Sequence, residues 1–133
     1  MKHRSLLASA VVLSVAAVLG GCGSSREVEV TGSVSAPSTV SGEIVLEFFD
    51  VTGEGEDRAL TSVHTATLQA PGEFKEKVEL EGEHVLVRAI ADGDANGACT
   101  AGEQWGELEA SIKDDDTVDP ITVALSAAAC PAE

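Results

Sequence analysis

Hydrophobic and polar residues alternate along most of the chain, with the period of two that is typical of β-strands. In the run 43–51, for example, Ile44, Leu46 and Phe48 share one face and Val45 and Phe49 lie on the other. Segments rich in Gly, Pro and Asp separate such runs at a spacing of about ten residues, which predicts a single all-β domain, a sandwich or a barrel. The predicted strands lie near residues 27–31, 43–51, 59–68, 74–80, 84–91, 105–112 and 121–125.

The N-terminal segment departs from this pattern. Lys2 and Arg4 precede the uncharged run 6–19. Spanning a bilayer takes roughly 17–25 apolar residues, so this shorter run predicts the core of a helical signal peptide. It ends in L-G-G-C at positions 19–22, which resembles a bacterial lipobox. The resemblance implies cleavage before Cys22 and lipidation of that residue; an ordinary secretory signal with an incidental cysteine is the alternative.

The lipobox resemblance also sets the predicted organisation of the chain. It implies a lipoprotein signal peptide over 1–21, a lipidated Cys and short tether over 22–26, and a β-sandwich domain over 27–133. The protein is then anchored by lipid to the cell envelope, and no helix is expected outside the signal peptide. Because Gly23 and not Asp follows Cys22, the resemblance implies the outer membrane if the cell is Gram-negative.

The net charge and the absence of known catalytic motifs limit the classes of function that the sequence predicts. The chain has 23 acidic and 8 basic residues and a formal charge of −15. It therefore lacks the basic footprint that phosphate recognition needs, and we expect no nucleic-acid partner. The sequence contains no H-E-x-x-H, G-x-S-x-G, phosphate-loop or dinucleotide motif, so we predict a protein that is not an enzyme.

Two cysteines remain once Cys22 is assigned to the lipid. Cys99 and Cys130 form an even pair in what is then an oxidising compartment. We predict a disulfide between them. Two free buried thiols are the alternative.

The segment 92–103 carries the most informative chemistry. It matches the calcium-loop pattern D-x-[DN]-x-[DN]-G-x₅-E at every specified position. Oxygen ligands of this kind favour Ca²⁺, and Gly97 at the sixth position permits the sharp turn. The flanking runs are strands, so the prediction is an EF-hand-like loop on a β scaffold, and an ordinary solvated acidic turn is the alternative. The candidate ligands are Asp92, Asp94, Asn96, the Ala98 carbonyl, Thr100 (through its hydroxyl or a water) and Glu103.

Several short motifs resemble a known domain family. E-F at 73–74, E-G-E-H-V-L-V-R-A at 81–89, D-G-D-A-N-G at 92–97 and G-E at 102–103 are similar to motifs of transthyretin-like, or carboxypeptidase-regulatory-like, β-sandwiches of exported bacterial proteins. The resemblance implies a seven-stranded Greek-key sandwich with a structural or binding role. The chain departs from the family in having His84 where a Tyr is usual, and in the Cys99 and Cys130 pair.

Together these features predict a non-enzymatic envelope lipoprotein, a small acidic β-sandwich with a structural Ca²⁺. Its partners are the membrane, through the lipid, and an envelope or matrix protein. The alternative function is an accessory carbohydrate- or peptide-binding module that uses Trp105 as a platform. The acidic run 114–119 is a candidate for a second ion site, and a solvated turn, the commoner role of such runs, is the alternative.

Overall fold

The computed structural model describes residues 25–130, and these form an all-β structure. A single 3₁₀ turn, Gly55–Asp57, joins the second and third strands, where no helix was expected. It forms because the Arg58 N–H donates to the Gly55 carbonyl at 3.3 Å and tightens this acidic connection. The strands are β1 (Arg26–Ser35), β2 (Glu43–Thr52), β3 (Ala59–Leu68), β4 (Glu73–Leu80), β5 (His84–Asp92), β6 (Trp105–Ser111) and β7 (Ile121–Ala124).

The predicted export segment lies outside the residues that the structure describes. This holds for the signal peptide over 1–21, for the lipidation site Cys22 and for the tether as far as Ser24. β1 begins at Arg26, one residue before the predicted start of the domain. Between residues 25 and 130, no helix has the length and apolar character needed to cross a membrane.

The strands are arranged in two sheets, which confirms the predicted sandwich at the level of two β layers. The smaller sheet has the order β4-β1-β7 and the larger sheet has the order β3-β2-β5-β6. All neighbouring strands are antiparallel except β1 and β7, which pair in parallel with Gly32 opposite Ile121.

The period-two alternation places the predicted apolar faces in the core between the sheets. Ile44, Leu46 and Phe48 of β2 are completely buried, as the sequence predicted. The Phe48 ring meets the Phe74 ring edge-on at 6.0 Å between centroids, which joins the two sheets through a favourable aromatic geometry. β1, β5 and β7 add mainly Val, Ile and Ala, so two Phe rings are the largest side chains in this core.

The outer face of the larger sheet carries a second, smaller apolar cluster. Phe49, Val51 and Leu86 form it, on the face opposite to the core. The Arg88 guanidinium lies 4.9 Å from the centroid of the Phe49 ring and pairs with Glu107 at 2.9 Å. This ion pair covers the ring and keeps an apolar face out of water.

β6 is the strand that follows the alternation least well. Leu108 alternates correctly with Ala110 and Ile112, yet 42% of Leu108 is exposed. Among the strands that the structure describes, β6 is the outermost of its sheet and has β5 as its one neighbour, apart from the bridge between Trp105 and Ser126. Alternation predicts the face of a residue but not whether another element covers it.

The start of β1 and the loop between β5 and β6 lie at opposite ends of the sandwich. Arg26 at the start of β1 pairs with Leu80 and donates to the Gly82 carbonyl at 2.8 Å, close to where β5 begins. The loop 93–104 follows the other end of β5. Nine residues of strand at about 3.3 Å each separate the two ends by about 30 Å.

Candidate metal site

The loop between β5 and β6 is held at its base by both strands. Asp92 is the last residue of β5 and pairs with Glu43 of β2. The Ala91 N–H donates to the Gln104 carbonyl at 2.8 Å, which closes the loop just before β6. Gly42 packs against the Asp92 backbone so closely that any Cβ there would clash with the Asp92 carbonyl oxygen. The first candidate ligand therefore sits on a rigid part of the fold.

Asp92 organises the turn that follows it. Only 6% of this residue is exposed. Its Oδ1 accepts from the Asn96 N–H at 3.2 Å, and its Oδ2 accepts from the Gly97 N–H at 2.7 Å. Gly97 has φ of +75°, so the predicted left-handed turn at the sixth loop position is confirmed.

Three carboxylates converge inside this turn. Asp92, Asp94 and Glu103 each offer an oxygen, and these oxygens lie within 4.8 Å of one another. Glu103 reaches back across the loop, since its Oε2 accepts from the Gly93 N–H and its Oε1 from the Thr100 N–H, both at 2.6 Å. Asp94 Oδ2 accepts two hydrogen bonds, but each of the other five carboxylate oxygens accepts only one. These five oxygens each retain a lone pair, so the acidic cluster has the donors to hold a metal ion.

Asp94 is kept ionised by its neighbours. The Thr100 hydroxyl donates to Asp94 Oδ2 at 2.8 Å, and this hydrogen bond lowers the pKa of the Asp94 carboxyl below 3.8. The Asn96 Nδ2 group donates to the same oxygen at 3.1 Å and to Thr100 Oγ1 at 2.7 Å. A charged carboxylate is the form that binds a cation.

The side chain of Asn96 is oriented differently from what the ligand prediction needs. Asn96 turns its Nδ2 group toward Asp94, while its Oδ1 accepts from the Ala98 N–H at 2.9 Å. An N–H donor repels a cation, so the amide of Asn96 must rotate before its oxygen can serve as a ligand. The Ala98 carbonyl as a ligand stays a prediction.

A disulfide ties the loop to the C-terminal tail. The structure pairs Cys99 with Cys130, with 5.7 Å between their Cα atoms. Cys99 lies between the candidate ligands Thr100 and Ala98, so the bridge restrains the half of the loop that β5 does not hold.

Trp105 lies beside this tail. Its backbone pairs with Ser126 through two hydrogen bonds of 3.0 Å, and its indole N–H donates to the Ala129 carbonyl at 2.9 Å. The side chain is half-buried at the start of β6. The indole N–H is thus engaged within the chain, and the use of the ring as a ligand platform stays a prediction.

The acidic run 114–119 is a turn held by ordinary ion pairs and hydrogen bonds. Lys113 Nζ lies 2.5 Å from Asp119 Oδ1, and Arg26 Nε lies 3.0 Å from Asp116 Oδ1. The Thr117 hydroxyl donates to Asp115 Oδ1, which lowers the pKa of Asp115. These contacts favour a solvated turn over a second ion site.

The pair of Lys113 and Asp119 predicts a pH effect in the alkaline range. The hydrogen bond to Asp119 and the negative charge of Asp119 raise the pKa of Lys113 above 10.5. The pair therefore stabilises the fold fully below pH 10.5 and loses its contribution as the pH rises through the higher folded pKa. Asp119→Asn is expected to lower the pKa of Lys113 in an NMR titration, whereas Asp114→Asn leaves it nearly unchanged. An equal Lys113 pKa in wild type and Asp119→Asn contradicts this prediction.

Sequence reasoning missed one buried polar group, Asp50 of β2. Only 4% of it is exposed, and its carboxylate accepts from the Glu81 N–H at 2.9 Å and from the Gly82 N–H at 2.8 Å. The available signal was an acidic residue inside the apolar run F-F-D-V at 48–51. Asp50 joins β2 to the turn that follows β4, and so links the two sheets.

Comparisons of this chain with protein-family models, with curated proteins and with solved structures give no match. The lipobox and the transthyretin-like resemblance therefore stay predictions from the sequence. Function has to be inferred from the chemistry of the residues described above.

Proposed function

We propose that the protein is a non-enzymatic, lipid-anchored envelope lipoprotein whose acidic Greek-key sandwich, of the transthyretin-like kind, binds another envelope or matrix protein. The L-G-G-C motif ending at Cys22 supports the anchor, and Gly23 favours the outer membrane if the cell is Gram-negative. The charge of −15 and the lack of catalytic motifs support a binding or structural role.

We further propose that the loop 92–103 holds one structural Ca²⁺. The observation that carries this proposal is the convergence of Asp92, Asp94 and Glu103, which occupy the first, third and last positions of the calcium-loop pattern. Three hard, charged oxygen ligands favour Ca²⁺ over softer metals. Asn96, Thr100 and the Ala98 carbonyl complete the proposed set.

The proposed role of the ion is to stabilise the fold. Both ends of the loop are fixed in adjacent strands of one sheet, and Cys99 is fixed to Cys130. A calcium sensor needs two helices that reorient on binding, and the loop is flanked by strands. Calcium is therefore expected to raise stability by mass action and to leave the strands in place.

Thermal unfolding tests the calcium proposal. With a dissociation constant of about 0.5 mM, typical of extracellular modules, 5 mM Ca²⁺ is expected to raise the melting temperature by roughly 5–10 °C over EDTA. Asp94→Ala with Glu103→Ala is expected to abolish the rise. Asp114→Ala with Asp115→Ala, which removes the same charge from the distant turn, is expected to retain it. An equal rise in both double variants, or none in wild type, contradicts the proposal.

Fractionation tests the proposed anchor. Wild-type protein is expected to sediment with membranes and to carry acyl chains by mass spectrometry, because acylation at Cys22 gives stable membrane attachment. Cys22→Ser is expected to abolish both properties, whereas Ser24→Ala leaves them intact. Membrane association of Cys22→Ser equal to that of wild type contradicts lipidation at this position.

A further inference from the structure

The four outer strands of the two sheets differ sharply in how they are protected. An exposed strand edge offers unpaired N–H and C=O groups to any other strand, and proteins block such edges with charges, short strands or covering segments. β7 has only four residues. β6 carries Glu107 and Glu109, and the tail covers its start through Ser126. The charged residues of β4 are Glu73, Lys75, Glu76, Lys77 and Glu79.

β3 lacks this protection. Its ten residues, A-L-T-S-V-H-T-A-T-L, contain no Asp, Glu, Lys, Arg or Pro, in a chain with a net charge of −15. Within residues 25–130 it pairs only with β2, and most of its residues are exposed. The register shifts between Phe48 and Phe49 and leaves Val63 as an extra residue. This divides the edge into two regular parts, 59–62 and 64–68.

The segment 64–68 also leaves part of the core uncovered. Ala66 and Leu68 pack against the core and are only half-buried, while Thr65 and Thr67 face solvent. An added strand with apolar residues at alternate positions continues the core over Ala66 and Leu68. Its backbone pairs at the same time with the free edge.

The charges beside this edge are negative. Glu47, opposite Thr65, accepts from the Ser62 hydroxyl at 2.8 Å on the outer face. Glu76 of β4 lies 3.3 Å from His64 on the inner side. Carboxylates thus flank the edge on both faces, and they attract basic side chains on an incoming strand.

We propose that the edge 64–68 binds an extended, basic segment of a partner protein, which adds to the larger sheet as a fifth strand. The inference rests on the proposed binding role and specifies the chemistry of the partner. A second copy of this chain is the less favourable occupant, because it brings another charge of −15 and a second set of Glu47 and Glu76 to the same interface.

A peptide titration tests this proposal. The probe is a capped peptide, K-V-T-V-T-V-K, added to the ¹⁵N-labelled full chain in detergent micelles with EDTA. Amide shift changes are expected in 59–68 and in adjacent β2. Thr67→Lys is expected to weaken binding at least about fivefold, because edge lysines block strand addition. Thr122→Lys adds the same charge to β7 and is expected to leave binding unchanged.

Two further variants separate backbone pairing from charge attraction. The same peptide with N-methyl groups on alternate residues keeps its charges but cannot complete a ladder, and is expected not to bind. Glu47→Gln is expected to weaken binding of the unmethylated peptide about threefold. The Lys residues of the peptide lie on the outer face, beside Glu47, when its Val residues cover the core. The proposal is overturned if the methylated peptide binds equally, if Thr67→Lys has no effect, or if the chain alone dimerises through β3. The titration contains EDTA, and peptide binding depends neither on Ca²⁺ nor on membrane attachment. A negative result therefore does not affect the calcium and anchor proposals, which are tested separately.

Discussion

Asp50→Ala is expected to lower the free energy of unfolding by about 3–5 kcal/mol. Asp50 is buried, and its carboxylate accepts two backbone hydrogen bonds, from Glu81 and Gly82. Hydrogen bonds to a charged group contribute about 1.5–3 kcal/mol each, and their loss leaves two N–H donors without a partner. Urea unfolding followed by circular dichroism measures this loss.

Two control variants identify the cause of that effect. Asp50→Asn keeps one oxygen acceptor of similar shape and is expected to lose about half as much stability. Asp57→Ala removes an exposed acidic residue from the nearby 3₁₀ turn and is expected to change stability by less than about 0.5 kcal/mol. Equal stability of Asp50→Ala and wild type would show that the two backbone bonds add nothing to the fold.

Loss of the Cys99–Cys130 bridge is expected to lower the free energy of unfolding by about 3.7 kcal/mol. The bridge joins residues 31 positions apart, and it restricts the unfolded chain more than the folded one. The double variant Cys99→Ser with Cys130→Ser, compared with wild type in urea, measures the effect. Tryptophan emission is also expected to shift to the red, because Trp105 donates to Ala129, beside Cys130.

A reductant provides the matched control for the bridge. Reduction is expected to bring wild type to the stability of the double variant and to leave the variant unchanged. A wild-type protein that is equally stable before and after complete reduction contradicts the prediction. Calcium binding by the variant is a separate measurement, since Asp92 and Glu103 are also held by backbone hydrogen bonds.

The sequence predicted the strands well because their alternation reflects burial directly. Ile44, Leu46 and Phe48 had to face the same way, and all three are fully buried. The order of the strands within each sheet was harder to predict, since nothing in the local sequence indicates that β7 lies beside β1. The extra residue Val63 was not predicted either, because a bulge depends on the register against β2.

The sequence predicted which residues form the candidate metal site, but it did not predict how all of their side chains are oriented. The spacing of Asp92, Asp94 and Glu103 indicated that their carboxylates converge, and they do. The rotation of the Asn96 amide depends on side-chain torsions, which the sequence does not encode at single positions. Asp50 was missed because its partners are backbone N–H groups, and any residue type supplies those.

The parallel pairing of β1 with β7 affects how the chain acquires its structure. Gly32 forms its ladder with Ile121, so the smaller sheet joins the first and last of the described strands. Closing so long a loop costs entropy before its contacts form, and folds built on such pairings form slowly. In a chain that emerges with its N-terminus first, β1 and β4 can pair long before β7 has emerged. The smaller sheet therefore remains incomplete until β7 has emerged, and the exposed edge of β1 stays unpaired on that side during this time.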